Sequence, residues 1–235
     1  MSILTQSAAF IARSCARLLA QDCLLCAADS RSSLLCTACA DDLPRLPADY
    51  CPRCALPTPA GEVCGRCLRQ APHYDAALAA FRYAFPVDRL IQTFKYDRRL
   101  ALADYFGRRL AALAATCTAE VIVPLPLHKL RLRERGFNQA LQLARPVSRA
   151  RAIAIDAHSC QRVRHTPSQA ALPWRERAAN VRGAFHCTTD FTGRRILLVD
   201  DVMTTGASLD EMARTLKLHG AAHVTVLVVA RALPP

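Results

Sequence analysis

Residues Ile196–Ser208 have the sequence ILLVDDVMTTGAS, an apolar run followed by two acids and a segment rich in threonine and glycine. The run Ile196–Val199 predicts a buried strand of the kind found in parallel sheets that are covered on both faces. Apolar residues at helical spacing predict a helix over Ser208–His219, and Gly220 is its expected C′ residue. A second apolar run, Val224–Val229, completes a strand–helix–strand unit, which predicts an α/β domain with a parallel sheet.

The segment between this strand and this helix is the expected ligand site. In open α/β sheets ligands bind at the carboxyl ends of strands, and a helix N-terminus presents free N–H groups and the positive end of the helix dipole to phosphate. Gly206 lets the backbone turn tightly around an anion, and Thr204, Thr205 and Ser208 supply hydroxyl donors. The sequence therefore predicts a phosphate site here, although Ser208 also fits a capping box with Glu211.

Two adjacent acids, Asp200 and Asp201, stand just before this phosphate site. Carboxylates repel a bare phosphate, so they are expected to face sugar hydroxyls or a magnesium ion at the other end of the ligand. The whole segment Ile196–Ser208 resembles the 5-phosphoribosyl-1-pyrophosphate signature of the type I phosphoribosyltransferases. The resemblance implies a mostly parallel sheet with flanking helices, with Asp200 and Asp201 on the ribose 2′ and 3′ hydroxyls. It also implies that the 5′-phosphate is cradled by Met203, Thr204, Thr205, Gly206, Ala207 and Ser208.

Eight of the twelve cysteines form four C-x-x-C pairs, and nine residues separate the pairs within each half of the region. Two such turns complete a tetrahedral zinc site without an open position, so two structural zinc ions are predicted. Sequential pairing of the turns is our choice, and interleaved pairing stays open. A disulfide framework would require an oxidising compartment. The predicted ligands are Cys23, Cys26, Cys36, Cys39, Cys51, Cys54, Cys64 and Cys67, while Cys15, Cys117, Cys160 and Cys187 are expected to be packing residues.

The composition is that of a globular protein, with 52% hydrophobic and 21% charged residues. A net charge of +12 favours a polyanionic partner, either a nucleic acid or a substrate with several phosphates. No apolar run reaches the roughly 18 residues that a membrane span needs. The arginines near the N-terminus follow the apolar stretch instead of preceding it, which argues against a signal peptide and favours an amphipathic helix and a cytoplasmic protein.

The predicted organisation is an N-terminal helix over residues 1–22, a double zinc-ribbon module over 23–70 and a phosphoribosyltransferase-like domain over 71–235. In Leu127–Asn138, four basic residues at alternate positions predict an extended basic loop with all four on one side, suited to pyrophosphate or a nucleic-acid backbone. They are Lys129, Arg131, Arg133 and Arg135. Strands are predicted at Leu78–Ala84, Val121–Val123 and Ile153–Ile155, and helices at Asp88–Leu100, Leu102–Ala115, Ala140–Arg145 (stopped by Pro146) and Trp174–Val181.

Two further blocks, VPLPLHKLRLRERGFNQALQLA at Val123–Ala144 and RVRHTPSQAALPWRERAANVRGAF at Arg162–Phe185, resemble the ComF family. That family joins cysteine-pair zinc modules to a phosphoribosyltransferase domain and is linked to DNA uptake in competent bacteria. The resemblance places Arg135, Asn138 and Gln139 near the pyrophosphate. It also makes Arg162–Arg177 a mobile hood over the substrate, with Arg164, Gln169 and Arg177 matching the family pattern. Lys95 matches a family position without an assigned role.

The function expected from these patterns is binding of 5-phosphoribosyl-1-pyrophosphate with magnesium, together with a part in the use of external DNA. Single-stranded DNA and a DNA-uptake helicase are the expected macromolecular partners. The alternative is a metabolic phosphoribosyltransferase that acts on an unidentified nucleophilic acceptor and has no role in DNA uptake. No catalytic residue is assigned by the sequence.

Overall fold

The computed structural model describes residues 21–31, 33–165 and 181–234. The predicted helix over 1–22 therefore lies almost wholly outside the described residues, as does the helix predicted at Trp174–Val181. The chain divides into two compact units, Met1–Leu43 and Pro44–Pro235, and the division falls between the two halves of the cysteine region. Among the described residues no helix has the length and apolar character needed to cross a bilayer.

The described part of the first unit is a small loop-rich body that contains one short helix, α1 (Thr37–Asp41). Ser30 ties two of its turns together, because its hydroxyl oxygen lies 2.6 Å from the Gln21 carbonyl oxygen and 2.5 Å from the Ser33 carbonyl oxygen, and its one hydrogen is shared between them. The unit also contains the first four cysteines of the C-x-x-C pairs.

The second unit is built on a five-stranded parallel sheet with the strand order β1-β7-β6-β2-β3. The strands are β1 (Ala76–Arg82), β2 (Val121–Pro124), β3 (Ala154–Ile155), β6 (Arg195–Met203) and β7 (His223–Arg231). Strands β6 and β7 are buried along almost their whole length, as their continuous apolar runs require. The predicted α/β fold with a mostly parallel sheet is confirmed.

Six helices belong to this unit among the described residues. They are α2 (Gly65–Arg69), α3 (Val87–Tyr96), α4 (Ala101–Leu113), α5 (Lys129–Arg135), α6 (Gln139–Arg151) and α7 (Ala207–Leu218). The connection β2–α6–β3 moves along the sheet in one direction, and β6–α7–β7 moves in the other. Right-handed crossovers then place α6 and α7 on opposite faces of the sheet. The order reverses between β2 and β6, which creates a crevice at their carboxyl ends.

Strand β6 is longer than the sequence predicts. Its pairing with β7 continues through Asp200 opposite Val228 to Met203 opposite Arg231. The two acids therefore belong to the rigid end of a central strand, and only Thr204–Gly206 remains as the turn before α7. The predicted strand ended at Val199 because the next two residues are acids. Backbone hydrogen bonds between strands do not depend on the polarity of the side chains, so the pairing continues beyond that point.

The prediction that a helix stops at Pro146 is wrong, because α6 continues through it to Arg151. Proline in a helix removes one hydrogen bond and costs about 3 kcal/mol. Packing offsets this cost, since the Pro146 ring lies directly against Gly107 of α4: a Cβ built on Gly107 would stand 2.4 Å from Pro146 Cγ. Gly107 and Pro146 are far apart in sequence, so the contact that stabilises the proline inside the helix could not be predicted from the residues around it.

The predicted extended loop at Leu127–Asn138 is also wrong, because its basic residues form helix α5. Leucine, arginine, lysine and glutamate are all good helix formers. His128 Nδ1 accepts a hydrogen bond from the Leu130 N–H at 3.3 Å, and Gly136 ends the helix with φ +82°. On a helix Arg131 and Arg135 share one side, so the four basic residues do not face the same way.

A separate two-stranded antiparallel sheet pairs β4 (Cys160–Arg162) with β5 (Phe185–Cys187). Cys160 lies opposite Cys187, and the two are joined by a disulfide. The expectation that both are merely packing residues is therefore wrong. The spacing of 27 residues carried no signal, since it is the strand pairing that brings the two thiols together.

Candidate functional site

The acid pair at the end of β6 is the centre of the site. Asp200 and Asp201 are only 9% and 3% exposed. Burial, and next the charge of Asp201, raise the pKa of Asp200 to about 7. Two carboxylates this close and this buried are not both stable as anions without a compensating cation.

Lys95, in the last turn of α3, supplies that cation. Its Nζ lies 2.9 Å from Asp201 Oδ1. Burial by itself would lower the pKa of Lys95, but the attraction of Asp201 prevails and raises it. Asp201 Oδ2 is buried and has no hydrogen-bond partner within the described part of the chain, so one acceptor stays available to a hydroxyl or a cation. The structure thus gives a contact to a residue whose role the sequence left open.

The N-terminus of α7 forms the opposite end of the site. Gly206 is the N-cap residue with φ +84°, and a Cβ there would stand 2.8 Å from Met203 Cε. Glycine is the only residue that adopts this positive φ readily and has no Cβ to collide with Met203. Thr205 Oγ1 accepts from the Ala207 N–H at 3.2 Å and satisfies one of the free donors of the helix end.

The predicted capping box at Ser208 and Glu211 is wrong. The helix begins one residue earlier than predicted, so Ser208 stands in its first turn and not at its N-cap. The Glu211 carboxylate accepts instead from the Gly183 N–H at 2.7 Å and from Arg214 at 2.7 and 2.9 Å. Ser208 faces the ligand cavity.

One cavity of about 520 Å³ joins the acid pair to the helix end. Its volume lies within the range of small-molecule sites. The cavity brings together nine of the residues predicted for the ligand: Asp200, Asp201, Met203, Thr204, Gly206, Ala207, Ser208, Arg135 and Gln139. Around the two acids it places four cationic side chains, which belong to Lys95, Arg131, Arg135 and Arg162. A cavity with this charge suits a ligand that carries several phosphates.

Other predicted residues have a different place. Asn138 caps α6: its Oδ1 accepts from the N–H groups of Ala140 and Leu141, and its Nδ2 donates to the Leu125 carbonyl at 3.1 Å. Thr205 does not line the main cavity but a smaller one of about 250 Å³ behind the turn. Arg164 donates to the Arg182 carbonyl. Gln169 and Arg177 lie outside the described residues.

Several cavity residues were missed by the sequence analysis. Tyr83, Gln92 and Tyr96 also line the cavity, and the guanidinium carbon of Arg135 lies 5.5 Å from the centre of the Tyr96 ring. Arg162 comes from β4, where burial lowers its pKa in spite of the opposing charge of Asp200. The sequence signal for the basic side of the cavity was the helical spacing of Arg131 and Arg135. The missed residues reach the cavity from elements that are distant in sequence from this helix.

The eight paired cysteines form two tetrads, Cys23/Cys26/Cys36/Cys39 and Cys51/Cys54/Cys64/Cys67, each with all four sulfurs within 4.8 Å of one another. Neighbouring sulfurs are 3.8 Å apart for Cys26 and Cys36, and 3.6 Å for Cys54 and Cys64. Tetrahedral zinc with Zn–S bonds of about 2.3 Å requires sulfurs about 3.8 Å apart. The residues therefore fit structural zinc, and the sequential pairing is confirmed.

Comparisons with protein families agree with this architecture. The model of the double zinc ribbon domain matches residues 15–68, and that of the phosphoribosyl transferase domain matches residues 136–233. Among solved structures, a purine phosphoribosyltransferase from Pyrococcus horikoshii aligns with 52% of this chain and 68% of its own, at 17% identity and a TM-score of 0.34.

Relatives of similar length cover most of the chain. DNA utilization protein YhgH of Escherichia coli is 35% identical over 85% of this chain and 91% of its own. Competence protein F of Haemophilus influenzae is 34% identical over 84% of this chain and 90% of its own. Competence protein ComFC of Bacillus subtilis is 26% identical, with 80% of each chain covered.

Proposed function

Because this chain belongs to the ComF family of competence and DNA utilization proteins, we propose that it binds 5-phosphoribosyl-1-pyrophosphate with magnesium and takes part in the use of external DNA in the cytoplasm. The observation that carries the ligand assignment is the buried acid pair, which stands between a glycine-capped helix N-terminus and a group of cations in one cavity. A ligand with an anion at each end and hydroxyls in the middle matches this order of charges.

Each part of the ligand has a natural place in the cavity. The 5′-phosphate goes to the N–H groups at the start of α7, where the helix dipole also favours it. The ribose hydroxyls go to Asp200 and Asp201, and Asp201 Oδ2 offers its open acceptor. The pyrophosphate goes to the arginines, among them Arg131 and Arg135, whose planar guanidinium groups suit phosphate oxygens.

Magnesium fits the same cavity. It is usually held by one or two carboxylates together with substrate phosphates, and the acid pair supplies such carboxylates. When bound, the ion neutralises charge on the pyrophosphate. Lys95 neutralises Asp201 at 2.9 Å, so the site is held in a stable form before any ligand or metal arrives.

The test is calorimetric titration of the zinc-loaded protein with 5-phosphoribosyl-1-pyrophosphate, with and without magnesium. We expect magnesium-dependent binding that the double substitution Asp200→Asn with Asp201→Asn abolishes. Absence of binding to folded wild-type protein would refute the ligand assignment.

Fragments of the ligand separate its two ends. Arg135→Gln should weaken pyrophosphate binding about tenfold, by loss of a charge-assisted hydrogen bond, and leave ribose 5-phosphate binding unchanged. Arg133→Gln is the matched control, because Arg133 is exposed on the same helix and does not line the cavity. Equal effects of both substitutions would contradict the placement of the pyrophosphate.

The DNA part of the proposal is supported by the net charge of +12 and by the relatives' names. Lys129 and Arg133 lie on the exposed side of α5, outside the cavity, where a single-stranded DNA backbone can reach them. If both contact phosphates, replacing them with glutamine makes the negative slope of log K against log salt shallower by about 1.4, at about 0.7 per phosphate for single strands. An unchanged slope would exclude Lys129 and Arg133 from DNA contact. Capture of a DNA-uptake helicase by the wild type is the corresponding test for a protein partner.

A second candidate function is transfer of the phosphoribosyl group to a nucleophilic acceptor with release of pyrophosphate. It is favoured by Tyr83, Gln92 and Tyr96, which line the cavity and which the sugar diphosphate assignment leaves unused. Pyrophosphate release that depends on an added acceptor would establish it. Binding without any such release would leave the sugar diphosphate as a bound regulator.

A further inference from the structure

The last residue of β7, Arg231, is fully buried, yet its charged group serves the backbone of other segments. Its Nε donates to the Cys54 carbonyl at 2.8 Å, within the second cysteine tetrad. Its Nη1 donates to the Met203 carbonyl at 2.9 Å and also to the carbonyl of Thr204. One guanidinium group thus bridges a metal-ligand residue and the turn that begins the phosphate site.

A second arginine also connects the second cysteine tetrad to the turn before α7. Arg66 lies in α2, between the tetrad members Cys64 and Cys67, and its Nη2 donates to the Thr205 carbonyl at 2.8 Å. Arg231 and Arg66 together hold three consecutive carbonyls, that of Met203 at the end of β6 and those of Thr204 and Thr205 in the turn.

The held carbonyls fix the direction of the adjacent N–H groups. In a planar trans peptide the carbonyl and the N–H of one unit point in opposite directions. Because the three carbonyls point toward Arg231 and Arg66, the N–H groups of Thr204, Thr205 and Gly206 point away from these two arginines. Backbone donors arranged in this way form an anion-binding concavity.

The buried charge of Arg231 needs a counter-charge, and the metal-loaded Cys51/Cys54/Cys64/Cys67 tetrad is the nearest candidate that its contacts indicate. Within the described part of the chain, the hydrogen bonds of Arg231 go to backbone carbonyls and none goes to a carboxylate. A zinc ion with four thiolates carries a net charge of about −2, because each ligand binds deprotonated. The loaded tetrad that contains Cys54 would thus supply a counter-charge for the buried guanidinium.

We propose that zinc in the Cys51/Cys54/Cys64/Cys67 tetrad and the anion at the start of α7 are thermodynamically coupled through Arg231 and Arg66, which act as positioning residues for the turn. The choice of anion rests on the proposed function. The hold of Arg231 and Arg66 on the turn does not, because it concerns backbone carbonyls of this chain alone. By linkage, zinc must raise anion affinity by the same factor by which the anion raises zinc affinity.

The first experiment uses ribose 5-phosphate as the probe in calorimetric titrations of zinc-loaded protein. Arg66→Ala should lower its affinity about tenfold, through loss of a charged hydrogen bond, and Arg66→Lys should restore part of it. Arg69→Ala, an exposed arginine of the same helix, is the matched control and should change affinity less than twofold. An Arg66→Ala affinity within twofold of wild type would overturn the proposal.

The second experiment compares equivalent ligands of the two tetrads. Cys64→Ser should weaken ribose 5-phosphate binding about tenfold, whereas Cys36→Ser, the same position in the first tetrad, should not, since the contacts that carry the coupling belong to residues 44–235. In wild type, ribose 5-phosphate should increase zinc affinity in competition with a chelator, and Arg66→Ala should remove this increase. Equal effects of both cysteine substitutions would reduce the role of zinc to general stability and overturn the proposal.

The third experiment needs no ligand and separates the coupling from the proposed function. Hydrogen exchange of residues 203–207 should become about tenfold faster in Arg66→Ala and in Cys64→Ser, and stay as in wild type in Arg69→Ala. If the wild type binds neither 5-phosphoribosyl-1-pyrophosphate nor ribose 5-phosphate, the proposed function fails, while this measurement still decides whether the loaded tetrad and Arg66 hold the turn. Unchanged exchange in both variants would refute it.

Discussion

The ion pair between Lys95 and Asp201 offers a quantitative test of the site's electrostatics. Its atoms are 2.9 Å apart, and the side chains are 19% and 4% exposed. At an effective dielectric constant of about 20, two unit charges at this distance attract by about 6 kcal/mol. Desolvation of both groups offsets much of this attraction, but removal of one partner of a buried pair costs about 3–5 kcal/mol because it leaves the other charge buried and uncompensated. Because Lys95 is partly exposed, Lys95→Met should lower the free energy of unfolding by about 3 kcal/mol at pH 8.

The loss should depend on pH in a defined direction. Burial and Asp201 raise the pKa of Asp200 to about 7, so the acid pair takes up a proton as the pH falls below that value. A protonated acid pair carries less negative charge for Lys95 to compensate. The decrease in the free energy of unfolding caused by Lys95→Met should therefore be smaller at pH 5.5 than at pH 8. Urea unfolding of zinc-loaded protein at both pH values measures this.

Two further variants make the result specific. Lys129→Met removes an exposed lysine and should change stability by no more than about 0.5 kcal/mol. Lys95→Met combined with Asp201→Asn should lose less than Lys95→Met alone, because no uncompensated charge is then left buried. A Lys95→Met loss as small as that of the control, or one that is equal at both pH values, would refute the assignment of Lys95 as the counter-ion.

Three other predictions follow from single contacts. Gly107→Ala places a Cβ 2.4 Å from Pro146 Cγ and should cost about 1–3 kcal/mol by overpacking; Pro146→Ala in the same chain should recover part of the loss in thermal unfolding. Gly206→Ala forces a side chain to φ +84° and against Met203, so it should cost about 1–2 kcal/mol and weaken ribose 5-phosphate binding in calorimetry; unchanged binding would contradict the placement of the phosphate. Asp200 has a raised pKa, so its ionisation costs stability as the pH rises from about 4 to about 7; Asp200→Asn should therefore gain stability relative to wild type at pH 8 and gain little at pH 4, and an equal gain at both pH values in urea unfolding would contradict the raised pKa.

The sequence alone was enough to predict the elements whose cause is local. Ile196–Val199 is a continuous apolar run typical of a buried strand, and four C-x-x-C turns, with the same nine-residue separation within each half of the region, have few uses other than zinc. Glycine at position 206 and the paired acids before it predicted a phosphate site beside a sugar or metal site. In each case the chemistry of neighbouring residues is sufficient, since the interacting groups are a few residues apart.

Tertiary structure decided everything that depends on distant partners. Pro146 stands inside a helix because Gly107 receives its ring, and Cys160 is oxidised because strand pairing brings Cys187 opposite it. Lys95 neutralises an acid more than a hundred residues away in sequence. Arg231 shows the limit most clearly. In the sequence it is one arginine at the end of an apolar strand, but in the fold it bridges the carbonyls of Cys54, Met203 and Thr204, because a buried charge must find its partners wherever the packing of the chain places them.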